Sequence, residues 1–179
     1  MLFALIALSS APHLVAATEP ETVTLKPKRH RDWKIELPAE RFLPVGSGIR
    51  LAGSGLEFTA SLQGTNLQLD LDADGEMDTV LEGDEGSVLL RNADGFRYAI
   101  RLKRSANGWA YATSSTMNAE WNGTRIAIID QDNDGLFGEV GEDAILLGRG
   151  RVATWLGRHV VINGQLLSVE IEADGSQLT

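Results

Sequence analysis

The 179-residue chain contains no cysteine, which excludes disulfides, thiol catalysis and thiolate metal sites. Histidine is also scarce, since only His30 and His159 lie beyond the first 17 residues. The chain has no His-Glu-x-x-His zinc pair, no Gly-x-Ser-x-Gly elbow and no phosphate-binding glycine loop with its lysine. A function without catalysis is therefore favoured over an enzyme.

Positive charge is the next deficit. Sixteen lysines and arginines stand against 25 aspartates and glutamates, which gives a net charge of −9 at pH 7. A protein of this sign repels the phosphates of nucleic acids, so we expect no nucleic-acid partner. Hydrophobic residues make up 43% of the chain, which is enough for the core of one globular domain.

The first apolar run, residues 2–8, is too short to span a bilayer, so no stable membrane span is expected from it. It is followed by Val15-Ala16-Ala17, a small-residue pattern that predicts cleavage by a signal peptidase after Ala17. No lysine or arginine precedes the run, so a short membrane anchor is the alternative. With residues 1–17 as a signal peptide, the protein is expected to be secreted, periplasmic or on the cell surface.

Two segments follow the predicted signal peptide. Residues 18–32 are polar and contain a basic run at 26–31, which predicts a polar, basic linker or an edge segment. Residues 33–179 are expected to form a single β-rich domain.

Period-two alternation is the commonest pattern in this domain. Apolar and polar residues alternate over residues 96–103, and Asn107-Gly108 and Asn163-Gly164 are typical of hairpin turns. A short helix is predicted only over residues 114–121. The patterns indicate an all-β fold, either a sandwich or a barrel-like antiparallel domain.

Acidic residues are concentrated in two stretches that share the pattern Asp-x-Asp-x-Asp-Gly. We call residues 70–78 the first acidic loop and residues 130–143 the second acidic loop. Carboxylates at alternate positions supply oxygen ligands, and the glycine allows a sharp turn, which together suit a hard cation. Three carboxylates without a cation would repel each other, and two such copies arise by chance less readily than one. The alternative is a pair of solvated Asp-Gly turns.

Both loops resemble the calcium loop of EF-hand proteins, in which side chains at positions 1, 3 and 5 and the carbonyl at position 7 bind the ion. For the first loop this resemblance implies the ligands Asp70, Asp72, Asp74 and the carbonyl of Glu76. For the second loop it implies the ligands Asp130, Asp132, Asp134 and the carbonyl of Leu136. An EF-hand carries a bidentate glutamate at position 12, where this chain has Leu81 and Gly141. Strands, and not helices, are predicted to flank both loops.

The first loop is also similar to the Asp-x-Asp-x-Asp-Gly-x-x-Asp loop of integrin-type β-propellers, which joins two strands and uses position 9 as a ligand. This resemblance implies Asp78 as the closing ligand. The second loop has Gly138 there, so Asp143 or Glu139 is expected to close it, and Asp143 is favoured because it precedes the outgoing strand. The second loop also looks like segments of secreted bacterial β-rich proteins without an assigned activity.

Ca²⁺ is the expected cofactor, because flexible, oxygen-rich loops suit it better than the smaller Mg²⁺. We therefore expect an exported calcium-binding β domain, a structural or binding module whose partner is an envelope or extracellular polymer or protein. The alternative is a carbohydrate-active or other hydrolytic enzyme with structural calcium. Glu57 and Glu120 are its candidate acids, and exposed tryptophans would favour sugar binding.

Overall fold

The structure, a computed structural model, describes residues 20–51 and 54–179. The predicted signal peptide, residues 1–17, lies outside the described residues. The described chain consists of strands, turns and loops, and it contains no helix that is long and apolar enough to cross a membrane. The predicted all-β fold class is confirmed.

Seventeen strands are present in the described residues, and many are bounded by glycine-containing turns. In chain order they are β1 (Val23–Thr24), β2 (Lys26–Arg29), β3 (Leu43–Pro44), β4 (Gly48–Leu51), β5 (Leu56–Gln63), β6 (Asn66–Asp70), β7 (Thr79–Leu81), β8 (Glu85–Arg91), β9 (Arg97–Ser105), β10 (Gly108–Thr113), β11 (Ser115–Trp121), β12 (Thr124–Ile129), β13 (Ala144–Leu147), β14 (Thr154–Trp155), β15 (His159–Ile162), β16 (Gln165–Ser168) and β17 (Gln177–Leu178).

These strands form antiparallel sheets. The largest sheet has the order β14-β13-β12-β11-β2, and two four-stranded sheets have the orders β3-β10-β9-β8 and β4-β5-β6-β7. The pairs β1-β17 and β15-β16 form two smaller sheets. Each sheet is open and has two edges, so the sandwich is the predicted architecture that agrees with the structure.

The larger of two hydrophobic clusters in the described residues connects the sheets. Its fully buried members include Phe58 of β5, Leu69 of β6, Ile100 of β9 and Ile128 of β12. Tyr98 and Ile100 lie on the face of β9 that the alternation predicts to point inward. Burial of such side chains stabilises a fold by about 1.5–3 kcal/mol each. The core therefore holds β6 and β12, the two strands that lead into the acidic loops.

Two predicted hairpins and one predicted helix fall within the described residues. The turn at Asn163-Gly164 joins β15 to β16 with φ angles of 52° and 80°, and the hairpin near Gly108 joins β9 to β10, so both predictions are confirmed. The helix over residues 114–121 is wrong, because this segment forms β11 and pairs with β2 and β12. The turn after β11, Asn122-Gly123, has φ angles of 47° and 77°, which is a hairpin geometry.

The linker predicted over residues 18–32 is not separate from the domain where it is described. β1 pairs with β17, and β2 pairs with β11 at the edge of the largest sheet. An edge strand accepts Pro27, which lacks an N–H group, and its exposed basic side chains suit an edge. Leu25 is only 3% exposed and belongs to the core. The segment is therefore an edge element of the sheets.

Candidate metal sites

Each acidic loop connects two neighbouring antiparallel strands. The first loop begins at Asp70, the last residue of β6, and ends where β7 begins at Thr79. The second loop follows Ile129 of β12 and ends where β13 begins at Ala144. The predicted placement of both loops between strands is confirmed.

The two loops share one backbone conformation. At position 4, Ala73 and Asn133 have φ angles of 60° and 69°, and at position 6, Gly75 and Gly135 have φ angles of 94° and 89°. L-residues rarely adopt positive φ, and only glycine does so without strain. Two left-handed residues in the same places show that the sequence repeat is also a structural repeat.

The loops also share their internal hydrogen bonds. The N–H of Gly75 donates to Oδ2 of Asp70 at 2.9 Å, and the N–H of Gly135 donates to Oδ2 of Asp130 at 2.8 Å. In a second shared bond, the N–H at position 7 donates to the carboxylate at position 5. The N–H of Glu76 donates to Asp74, and the N–H of Leu136 donates to Asp134, each at 2.8 Å. Both loops are folded around their own carboxylates.

Each loop brings three carboxylates together. In the first loop the oxygens of Asp70, Asp72 and Asp78 lie within 4.8 Å of one another, and in the second loop those of Asp130, Asp132 and Asp134 do so. The first group uses positions 1, 3 and 9, whereas the second uses positions 1, 3 and 5. The carboxylates of Asp74 and Asp143 lie outside these groups. Both groups have the chemistry and spacing to hold a metal ion.

Asp70 is the buried member of the first group, with 1% of its surface exposed. Its Oδ2 accepts hydrogen bonds from Gly75 and from the hydroxyl of Thr59, the latter at 3.2 Å. Its Oδ1 is buried, and no described residue lies in hydrogen-bonding geometry to it. Burial raises the pKa of Asp70, but hydrogen bonding by Gly75 and Thr59, with further contributions from the N–H groups of Ala73 and Asp72, outweighs it and leaves the pKa below the usual value. Asp70 therefore presents a buried oxygen that lacks a well-formed hydrogen bond.

Asp130 is the buried member of the second group and is fully enclosed. The hydroxyl of Tyr98 donates to its Oδ2 at 2.6 Å, and the N–H of Asn133 donates to its Oδ1 at 2.6 Å. Burial raises the pKa of Asp130 well above its usual value, the bond from Tyr98 opposes this, and the charges of Asp143 and Asp132 add to it. A bound cation would remove the cost of ionising this carboxyl.

Asp143 ties together the two ends of the second loop. Its Oδ1 accepts the N–H of Gln131 at 3.2 Å, and its Oδ2 accepts the N–H of Glu139 at 3.0 Å. In the first loop Oδ2 of Asp78 accepts the N–H of Leu71 at 2.6 Å. Gln131 and Leu71 both occupy position 2 of their loops, so Asp143 and Asp78 accept hydrogen bonds from equivalent backbone N–H groups. Burial raises the pKa of Asp143 to about 7, although these N–H bonds oppose the rise.

Two residues at the second site were not among the predicted ligands. Tyr98 lies on a strand 32 residues before Asp130, and nothing local in the sequence connects them. Asn133 holds the loop to other segments, because its Oδ1 accepts the N–H of Thr113 and its Nδ2 donates to the carbonyl of Arg41 at 3.1 Å. Asparagine is one of the few residues that tolerate the left-handed conformation, so an asparagine at position 4 of the loop indicates that this position is left-handed.

The structure places each candidate acid of the alternative enzyme on a strand, opposite an arginine. Glu57 lies on β5 opposite Arg50, and Glu120 lies on β11 opposite Arg125, so the two acids belong to different sheets. Both glutamates are exposed. Each has the surroundings of an ordinary cross-strand charge pair.

The tryptophans have mainly packing roles. Trp109 is buried in the larger hydrophobic cluster, and Trp121 is partly buried against it. Trp33 is partly buried against the smaller cluster, which contains Ile35 and Ile129. Trp155 is 44% exposed. This burial favours a role in core packing over a role in sugar binding for three of the four tryptophans.

A groove of about 540 Å³ lies over the outer faces of β8 and β9. Within it the guanidinium of Arg101 lies 4.6 Å from the ring centre of Trp33 and 5.1 Å from that of Phe42, and it pairs with Glu40 at 2.6 Å. The other charged side chains of the groove are of both signs: Arg31, Lys103, Asp32 and Glu85. This balance selects no ligand of either charge.

Comparison of the chain with family models, with curated proteins and with solved structures finds no match. No relative supplies a ligand set or an activity for the acidic loops. The function of both loops has to be inferred from their own geometry and chemistry.

Proposed function

We propose that this protein is an exported calcium-binding β domain that holds one Ca²⁺ ion in each acidic loop and acts as a structural or binding module. The observation that carries the proposal is Oδ1 of Asp70, which is buried and has no well-formed hydrogen bond from any described residue. Buried acceptors are nearly always satisfied, and leaving one unpaired is costly. A cation between Asp70, Asp72 and Asp78 satisfies this oxygen.

Charge crowding supports the second ion. Asp130, Asp132 and Asp134 lie within 4.8 Å, and burial followed by the charge of Asp132 raises the pKa of Asp134. Burial, followed by the charges of Asp134 and Asp132, also raises the pKa of Glu139. A divalent ion reverses this repulsion, because the negative charges that disfavour each other then share one positive partner.

Calcium is the proposed ion because the donors are carboxylates on loops. Calcium accepts six to eight oxygen ligands in irregular arrangements, whereas magnesium requires a compact octahedron and keeps several waters. The two groups use different loop positions, 1, 3 and 9 against 1, 3 and 5, which suits an ion that tolerates variable geometry.

The proposed role of the ions is to fasten neighbouring strands. The first ion joins the end of β6 to the loop that enters β7, and the second follows β12 and precedes β13. A ligand that binds only the folded state adds stability, about 2.7 kcal/mol at a hundredfold excess over its dissociation constant. Calcium would thus stabilise a chain that has no cysteine for disulfides.

Isothermal titration of the chelator-treated protein, residues 18–179, with Ca²⁺ and with Mg²⁺ tests the proposal. We expect two calcium ions per chain, one in the variants Asp70→Asn and Asp130→Asn, and none in the double variant. Asp94→Asn is the matched control, because Asp94 is an exposed acid in an Asp-Gly turn outside both groups. It should still bind two ions.

Two results would overturn the proposal. One is the absence of calcium binding at millimolar concentration by a protein that circular dichroism shows to be folded. The other is unchanged stoichiometry in the double variant, which would place the ions elsewhere.

A further inference from the structure

We propose that the two loops hold their ions differently: the second is a closed, structural site, and the first is an open site that exchanges its ion and completes the coordination shell with solvent oxygens. This inference rests on the proposed function, since it requires that both loops bind a cation. The inference rests on the surroundings of the two carboxylate groups, which differ although the backbone conformations of the two loops match.

The second loop is enclosed by other parts of the chain. Asp130 and Asn133 are at most 1% exposed, and the side chain of Asn133 is bonded to the segments at Thr113 and Arg41. On the other side, Phe137 is 1% exposed, and its N–H donates to the carbonyl of Ala173 at 2.9 Å. An ion in this loop is covered by packed side chains and by the C-terminal turn.

The first loop has no such cover among the described residues. Asp72, Asp74, Glu76 and Asp78 are all exposed, and only Asp70 is buried. The other loop carboxylates that accept hydrogen bonds, Asp72, Asp74 and Asp78, accept them from N–H groups within the loop. The buried Oδ1 of Asp70 therefore forms the floor of a site whose remaining sides face the medium.

Ligand number and charge indicate what fills the open side. Three carboxylates and one loop carbonyl provide roughly four oxygens, whereas calcium takes about six to eight, which leaves about two or more positions. The first loop carries five acidic side chains in nine residues, more charge than one divalent ion neutralises. Anionic ligands are therefore repelled, and neutral oxygens such as those of water are favoured.

Luminescence lifetimes of bound Tb³⁺, excited directly and compared in H₂O and D₂O, count the waters on each ion. In the wild-type protein with both loops filled we expect two lifetimes. Asp130→Asn, which leaves the first loop, should keep the shorter one, with more waters on its ion than in the second loop. Asp70→Asn, which leaves the second loop, should keep the longer one, and its ion should be removed more slowly by chelator.

Equal water counts in the two loops, or more water in the second, would overturn the inference while leaving calcium binding intact. Failure of both loops to bind Tb³⁺ would overturn the proposed function itself. If Asp130→Asn does not fold, Asp132→Asn replaces it, because Asp132 belongs to the same group but is only partly buried. The two lifetimes of the wild-type protein remain a test that needs no variant.

Discussion

Replacing Asp130 with asparagine is expected to abolish the thermal stability that calcium adds through the second loop. A hundredfold excess of calcium over the dissociation constant adds about 2.7 kcal/mol per site. Because 1 kcal/mol shifts the Tm of a domain of this size by about 2–4 °C, each filled site should raise the Tm by about 5–11 °C. Wild-type protein should gain from two sites and the variant from one.

The same substitution should also lower stability when calcium is absent. The O–H of Tyr98 donates to one oxygen of Asp130 and the N–H of Asn133 donates to the other, so the NH2 group of an asparagine would face a donor in either orientation. The melt of Asp130→Asn protein in chelator should therefore lie below that of the wild type. The calcium response is the difference between the two melts of each protein, and it separates the lost ion from this general loss of stability.

Circular dichroism melts in chelator and in millimolar calcium measure both quantities. Asp94→Asn serves as the control, because it removes one charge from an exposed Asp-Gly turn and should keep the full calcium response. The reasoning is refuted if calcium leaves the wild-type melt unchanged, or if Asp130→Asn retains the whole shift.

Three further predictions concern residues around the second loop. Tyr98→Phe removes the bond to Asp130 and should lower the free energy of unfolding by about 1.5–3 kcal/mol in urea melts. In chelator, the raised pKa of Asp143, about 7, means that the folded state binds more protons than the unfolded state above pH 4. Stability should then fall as pH rises from about 4 to 7, and Asp143→Asn should flatten this slope in urea melts. Gly138→Ala places a Cβ only 2.6 Å from Cβ of Ile171 and should cost about 1–3 kcal/mol by thermal melting.

Each of these three has a result that would contradict it. An unchanged unfolding free energy in Tyr98→Phe would show that the bond to Asp130 contributes nothing. A chelator stability that rises from pH 4 to 7 has the wrong sign for buried carboxyls. For Gly138→Ala the control is Gly141→Ala, where φ is also positive but no atom lies within 4 Å. Equal losses in the two glycine variants would assign the effect to the backbone and not to Ile171.

The acidic loops were predictable because their information is local. Alternate carboxylates and a glycine lie within six residues, and β6, which leads into the first loop, alternates apolar and polar residues with a period of two. The loop conformation itself, including the left-handed position 6, follows from these residues. Which acids come together was harder, because the second loop continues for several residues after its glycine before β13 begins.

Long-range contacts account for what the sequence did not reveal. The bond from Tyr98 to Asp130 depends on how β9 packs near the end of β12, which no spacing encodes. The segment of β11 has a mixed composition and becomes a strand because β2 and β12 pair with it. The basic composition of β2 is typical of a linker, and only the pairing with β11 identifies this segment as an edge strand.

The residue at position 4 also determines whether a loop becomes ordered when the chain folds or when the ion binds. Asn133 fastens the second loop to Thr113 and Arg41, whereas Ala73 has only a methyl group at the matching place. Ordering a residue costs about 1–2 kcal/mol of entropy, and in the second loop folding itself supplies that order. In the first loop more of the ordering is expected to accompany ion binding. Calorimetry should therefore find a less favourable binding entropy for the first loop than for the second, even if their affinities are similar.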